Sequence, residues 1–101
     1  MILKGTCVCP GTAEGKLTLF QPGKKYGKDE IVLLKHWLTQ EVLAAKDAGA
    51  VISAAGGITC HASIVARELN LPALISVDIS SLKEGTPVKV NATKGTIETT
   101  E

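Results

Sequence analysis

The sequence predicts an α/β domain in which short strands alternate with two helices, and three observations carry that expectation. The 101 residues suffice for one domain built on one core, assigned to residues 1–101. Hydrophobic residues make up 45% of the chain, yet only Phe20, Tyr26 and Trp37 are aromatic, so the core must come from Val, Ile, Leu and Ala, as in tightly layered folds. The apolar runs are short, the length of strands rather than of bilayer-crossing helices.

Taken in order, MILKGTCVCPG (residues 1–11) alternates loosely and stops at Pro10-Gly11, which reads as a first strand. GKLTLF (15–20) resumes the alternation until Pro22-Gly23, a second strand, and QPGKKYGKDE (21–30) is an exposed turn. DEIVLL (29–34) is β-branched and Leu-rich, a third strand. In KHWLTQEVLAAKDAGA, Thr39 is expected to cap a helix over Gln40 to Asp47, with Gly49 as its left-handed stop. AVISAA (50–55) is a strand that Gly56 and Gly57 end, since glycines accept the angles of a sharp reversal. The second helix is expected to open near Thr59 or Cys60. At 100° per residue Ala62, Val65, Ala66 and Leu69 share one face, with Ser63, Arg67 and Asn70 opposite, the pattern of a helix lying on a sheet. Pro72 forbids its continuation and ALISV (73–77) is the next strand. LKEGTPVKVNATKGTIETT (82–100) reads as two strands around Thr93-Lys94-Gly95, with Val88 and Val90 on one side.

Charge and cysteine usage exclude several function classes. A net charge of +1 with no dense basic window argues against a nucleic-acid partner. No stretch has the make-up of a signal sequence or a membrane span. Cys7, Cys9 and Cys60 contain no Cys-x-x-Cys pair, which fits a reduced, cytoplasmic setting. Cys7, Cys9, Cys60 and His61 invite a zinc reading. Two cysteines one residue apart on a strand share a face with little room for a tetrahedral bite, so no metal site is expected.

The stretch GGITCHASIVARELNLPALISV, beginning at Gly56, carries the chemistry. A helix opening at Thr59 or Cys60 puts His61 in the first turn, among unpaired backbone N–H groups and at the positive end of the helix dipole. That setting disfavours a cationic ring and leaves a nitrogen lone pair free to attack, while it favours a dianionic group once attached. Gly56 and Gly57 leave space over the ring, and the Thr59 hydroxyl is within reach of the ring or of a phosphoryl oxygen. The arrangement suits a nucleophilic imidazole whose covalent phosphate is steadied by a helix start.

This stretch resembles the phosphohistidine signature of the phosphoenolpyruvate-utilising enzymes, among them phosphoenolpyruvate synthase, pyruvate phosphate dikinase and enzyme I of the sugar phosphotransferase system. The matching positions are Gly56, Gly57, Thr59, Cys60, His61, Ala66, Arg67 and Pro72. GTCVCPGTAEGKL and LKEGTPVKVNATKGTIE are similar, more loosely, to the family's opening segment and closing hairpin. The resemblance implies a swivelling β/β/α phosphohistidine domain that relays a phosphoryl group on His61. It further implies an ATP-binding or phosphoenolpyruvate-binding partner protein carrying Mg²⁺ and ATP or phosphoenolpyruvate, with no cofactor on this domain itself. Ile58, Asn70, Ser76 and Asn91 depart from the family pattern, Asn70 and Ser76 standing where glycine is usual.

Bland roles stand beside these. Thr59 serves as cap, ring-orienter or both, and relatives with Ser at the Cys60 position imply that a small side chain suffices there. Arg67 falls nearly two turns from His61 and is only a secondary candidate for anion binding, because a dipole-favoured place explains it equally well. His36 lies outside the pattern. The rival to phosphotransfer is a docking or regulatory remnant of the same domain that is never phosphorylated.

Overall fold

The computed structural model describes residues 2–21, 23–55 and 61–99. Its strands are β1 (Ile2–Lys4), β2 (Thr6–Cys9), β3 (Thr12–Leu19), β4 (Glu30–Leu34), β5 (Ala50–Ser53), β6 (Ala73–Ile75), β7 (Pro87–Asn91) and β8 (Thr96–Thr99). All join one sheet in the order β1-β8-β7-β3-β4-β5-β6-β2. The run β3-β4-β5-β6 is parallel and the remaining pairs are antiparallel. Two helices, α1 (Thr39–Ala44) and α2 (His61–Glu68), form the β4–α1–β5 and β5–α2–β6 crossovers.

The first strand of the sequence reading is therefore two strands. Lys4 pairs with Thr96 at one end of the sheet and Thr6 pairs with Ile75 at the other, with Gly5 alone between them. Two residues apart means within about 7 Å, so the sheet must curl until its two ends meet. Gly5 sits in that seam. Its N–H donates to the Gly95 carbonyl at 2.9 Å, and a Cβ on it would lie 2.5 Å from Val77 Cγ2 and 2.9 Å from the Ile75 carbonyl oxygen. Only a residue without a side chain fits there.

The curled sheet separates two cores. Leu17, Ile31, Leu33, Ile52, Leu74, Val88, Val90 and Ile97 fill the space between its halves. Val32, Leu34, Val51, Ala73 and Ile75 face the other way and meet Trp37, Val42, Ala62 and Ala66 from the helical layer. Strands β4, β5 and β6 are thus buried on both faces, which is why they read as continuous apolar runs. On β7, by contrast, Val88 and Val90 are buried and Lys89 is exposed. Strand, strand and helix layers result, the β/β/α arrangement expected.

The register of β2 corrects the cysteine geometry. Cys7 pairs with Leu74 and Cys9 with the adjacent Ala73, so β2 carries one extra residue, a bulge at Val8. Cys7 consequently packs toward the core between the sheet halves and Cys9 toward the helices. They do not share a face.

Helix α1 is shorter than its sequence pattern, and its N-cap is Leu38, without a side-chain cap; Thr39 lies inside the helix. Ala45 and Ala48 continue as buried turn residues beneath it. Gly49 is not left-handed; its N–H donates to the Glu30 carbonyl at 2.9 Å, and its lack of a side chain admits the Lys28 carbonyl. At the end of α2, Asn70 takes φ 53°. The Leu71 N–H returns to the Ala66 carbonyl and the Asn70 N–H to the Arg67 carbonyl, both at 3.1 Å, a Schellman motif with asparagine in place of glycine. Strand β6 stops at Ile75 because Ser76 has φ 58°. Both departures from the family's glycines thus occupy left-handed backbone, where glycine costs least.

Two substitutions should move stability in opposite directions in urea denaturation. Gly5→Ala should destabilise by about 1–3 kcal/mol through overpacking. Ser76→Gly should stabilise by about 0.5–1 kcal/mol, the left-handed penalty less glycine's greater loss of backbone freedom. A third expectation concerns Cys9, whose thiol is pushed up from its ordinary value by burial first and by neighbouring Cys7 second, with Arg67 partly offsetting the rise. The fold favours the neutral thiol, so this contribution to stability is complete below the unfolded pKa and is lost as pH rises through the folded one. Iodoacetamide at pH 8 should alkylate Cys9 at least about tenfold more slowly in the native protein than in urea; equal rates would contradict the burial account.

Candidate functional site

The site forms where β5 ends. Ser53 is fully buried; its hydroxyl accepts the Ala55 N–H and its carbonyl accepts the Val77 N–H, both at 3.1 Å. These bonds turn the chain away from the sheet and leave Ala54 and Ala55 exposed. Gly56, Gly57, Thr59 and Cys60 lie outside the described residues, as does Ile58. The chain is described again at His61, which opens α2 and is exposed.

Strand polarity fixes where that opening lies. β5 and β6 are parallel, so the chain leaving the carboxyl end of β5 must return to the opposite edge before β6 begins. The amino end of α2 is thereby placed at the carboxyl edge of the parallel strands, the edge at which open α/β sheets bind ligands. Ser76, at the end of β6, shares that edge and is exposed. Among the described residues no side-chain hydrogen bond engages His61.

Helix α2 meets the sheet through small residues. Ala62 and Ala66 are buried as expected, and Val65 and Leu69 are partly buried against the same core. Ser63 was expected on the polar face and is instead fully buried. The Trp37 indole N–H donates to Ser63 Oγ at 2.8 Å. A one-helix wheel does not register the chain packed beside it, and α1 with its leading segment covers that side of α2. The signal available in the sequence was Trp37 itself, since a buried indole N–H requires an acceptor.

Arg67 is held by the sheet: its Nε donates to the Val8 carbonyl at 2.9 Å. It lies six residues from His61, about 9 Å along the helix axis. The bulge at Val8 turns that carbonyl toward α2. His36 is exposed, whereas Trp37 beside it is buried. Ile64, one turn beyond His61, is exposed, as are Leu38 and Leu43 around α1.

A separate groove of about 650 Å³ opens at the carboxyl ends of β3 and β4, floored by Leu19, Phe20, Leu33 and Ala44 and rimmed by Lys35 and His36. It contains no residue of α2, so it is distinct from the surface around His61. Among the described residues no group of three or more His, Cys, Asp or Glu side chains converges as metal ligands, and no helix is long and apolar enough to cross a membrane.

Residues 26–95 match the family described as PEP-utilising enzyme, mobile domain. A probable phosphoenolpyruvate synthase of Archaeoglobus fulgidus is 36% identical over 96% of this chain. The chain spans only 14% of that relative's length. Among solved structures, aconitase X of Thermococcus kodakaraensis in its holo form is similar with a TM-score of 0.78, at 21% identity, over 100% of this chain and 99% of that one. The N-terminal domain of Enzyme 1-Nitrogen is similar with a TM-score of 0.59, at 18% identity, over 75% of this chain and 33% of that one. The two structural likenesses speak for the fold alone, and family membership rests on the sequence matches. With its β/β/α layers and with His61 at the opening of α2, this chain belongs to the mobile-domain family of phosphoenolpyruvate-utilising enzymes.

Proposed function

We propose that this chain is a phosphocarrier that accepts a phosphoryl group on His61 and passes it on, working in the cytoplasm with a partner protein that binds ATP or phosphoenolpyruvate. The observation that carries this reading is the exposed His61 at the amino end of α2, on the carboxyl edge of the parallel strands. A ring nitrogen of His61 attacks the phosphorus of the donor. The bond from phosphorus to the leaving oxygen breaks, that oxygen keeps the electron pair, and the ring sheds its surplus proton from the other nitrogen. The backbone N–H groups of the helix start face the phosphoryl oxygens. Thr59 orients the ring or a phosphoryl oxygen, while Gly56, Gly57 and Cys60 keep the approach small-sided. Transfer of this kind depends on positioning and on neutralising charge, and Mg²⁺ with the partner's cationic groups would supply the latter. Exposed Ile64 gives the partner an apolar contact beside the reacting ring. Arg67, committed through Nε to Val8, serves in this account to hold α2 rather than to bind phosphate.

The test uses a phosphoenolpyruvate synthase whose own acceptor histidine is replaced by alanine, supplied with Mg²⁺ and either ATP or phosphoenolpyruvate. The chain should acquire acid-labile, base-stable phosphate, and His61→Ala should acquire none. Equal labelling of His61→Ala would defeat the assignment. A chain that binds the enzyme yet takes no phosphate from either donor would be the docking remnant instead.

A further inference from the structure

We propose that Trp37 is a positioning residue for His61, acting through a buried hydrogen bond to Ser63 that fixes how α2 is rolled on the sheet; this rests on the phosphocarrier reading above. The need for such a device follows from what α2 presents to the sheet. Its fully buried apolar contacts are the methyl groups of Ala62 and Ala66, and the longer Val65 and Leu69 are only partly buried beside them, so little of the helix interdigitates with the strands. A two-turn helix with so few fully buried side chains resists rotation about its axis weakly, and a rotation of α2 swings the ring that leaves its first turn. Directional bonds supply the missing resistance. The Trp37 N–H to Ser63 Oγ bond, at 2.8 Å between a ring 7% exposed and a serine 0% exposed, acts two residues from His61. Four residues farther on, and so on the same side of the helix, Arg67 Nε holds the Val8 carbonyl at 2.9 Å. The helix is pinned at two points along one side, and the pin nearer the reacting ring comes from the segment between β4 and α1. In-line transfer is sensitive to the aim of the nucleophile, a displacement of about 1 Å being enough to cost up to about a hundredfold in rate.

The double variant Trp37→Phe with Ser63→Ala removes both ends of this bond together, so neither the indole N–H nor the hydroxyl is left buried without the other, and the protein should stay folded. The probe is potassium phosphoramidate. A ring nitrogen attacks its phosphorus, the phosphorus–nitrogen bond breaks, and ammonia leaves with the bonding pair and takes up the ring's surplus proton. In the parent protein ³¹P NMR should show phosphate on one ring nitrogen of His61. In the double variant it should show both isomers, and transfer from the donor enzyme described above should be at least about tenfold slower. A folded double variant with the single isomer and an unchanged transfer rate would overturn the positioning role while leaving the phosphocarrier reading intact. If the parent protein takes up no phosphate, that reading fails, and amide exchange at Ala62 to Val65 then decides the latch alone. Exchange at least about tenfold faster in the double variant supports the latch, and unchanged exchange rejects it.

Discussion

One residue, Gly5, carries the chain from one end of an eight-stranded sheet to the other, and the rest of the molecule depends on that step. Because β1 and β2 are joined by this residue alone, the sheet ends that pair with β8 and with β6 must adjoin. The closed curl then has an inside, filled by aliphatic side chains from both halves, and an outer face on β4, β5 and β6 that must be covered. The two crossover helices cover it. A single seam thus accounts for three layers in about a hundred residues and for a core that needs few aromatic side chains.

Strand direction then decides where chemistry can occur. The four parallel strands end together, and each crossover lifts the chain away from the sheet at that edge. Ser53 ends β5 by bonding the chain that follows, and left-handed Ser76 ends β6 beside it. His61 emerges where the sheet stops and the helix begins. Behind that histidine the helix meets the sheet through buried Ala62 and Ala66, with Val65 and Leu69 partly buried beside them, and polar contacts from Trp37 and Arg67 tie its flank to the neighbouring chain. The phosphocarrier reading proposed above gives such an arrangement a purpose: the histidine projects outward while the frame behind it stays fixed.

Much of this was legible in the sequence, for physical reasons that differ by element. The hairpin of β7 and β8 shows in the alternation Val88-Lys89-Val90 and in Gly95, because one of its faces meets water. β4 and β5 show as uninterrupted apolar runs because both their faces are buried. The end of α2 shows in Pro72, and the place of His61 in its first turn follows from the glycine pair and the alanine spacing behind it. What stayed hidden depends on partners distant in the chain. The split at Gly5 is set by pairings with Thr96 and Ile75, and the bulge at Val8 by β6. Ser63 reads as a surface residue until Trp37 is known to lie over it. Asn70 and Ser76 were visible as departures from glycine, but the left-handed angles that explain the glycines are a property of the backbone.

The central claim is that the surface around His61, at the opening of α2 and the carboxyl ends of β5 and β6, is where this chain carries its phosphoryl load. Amide chemical-shift mapping before and after phosphorylation tests that claim most directly. The account predicts changes concentrated at His61 to Val65, Ser53 to Ala55 and Ser76, with β1, β7 and β8 unmoved. Changes centred on the β1-β8-β7 layer, or on the groove beside Lys35 and His36 with α2 silent, would contradict it.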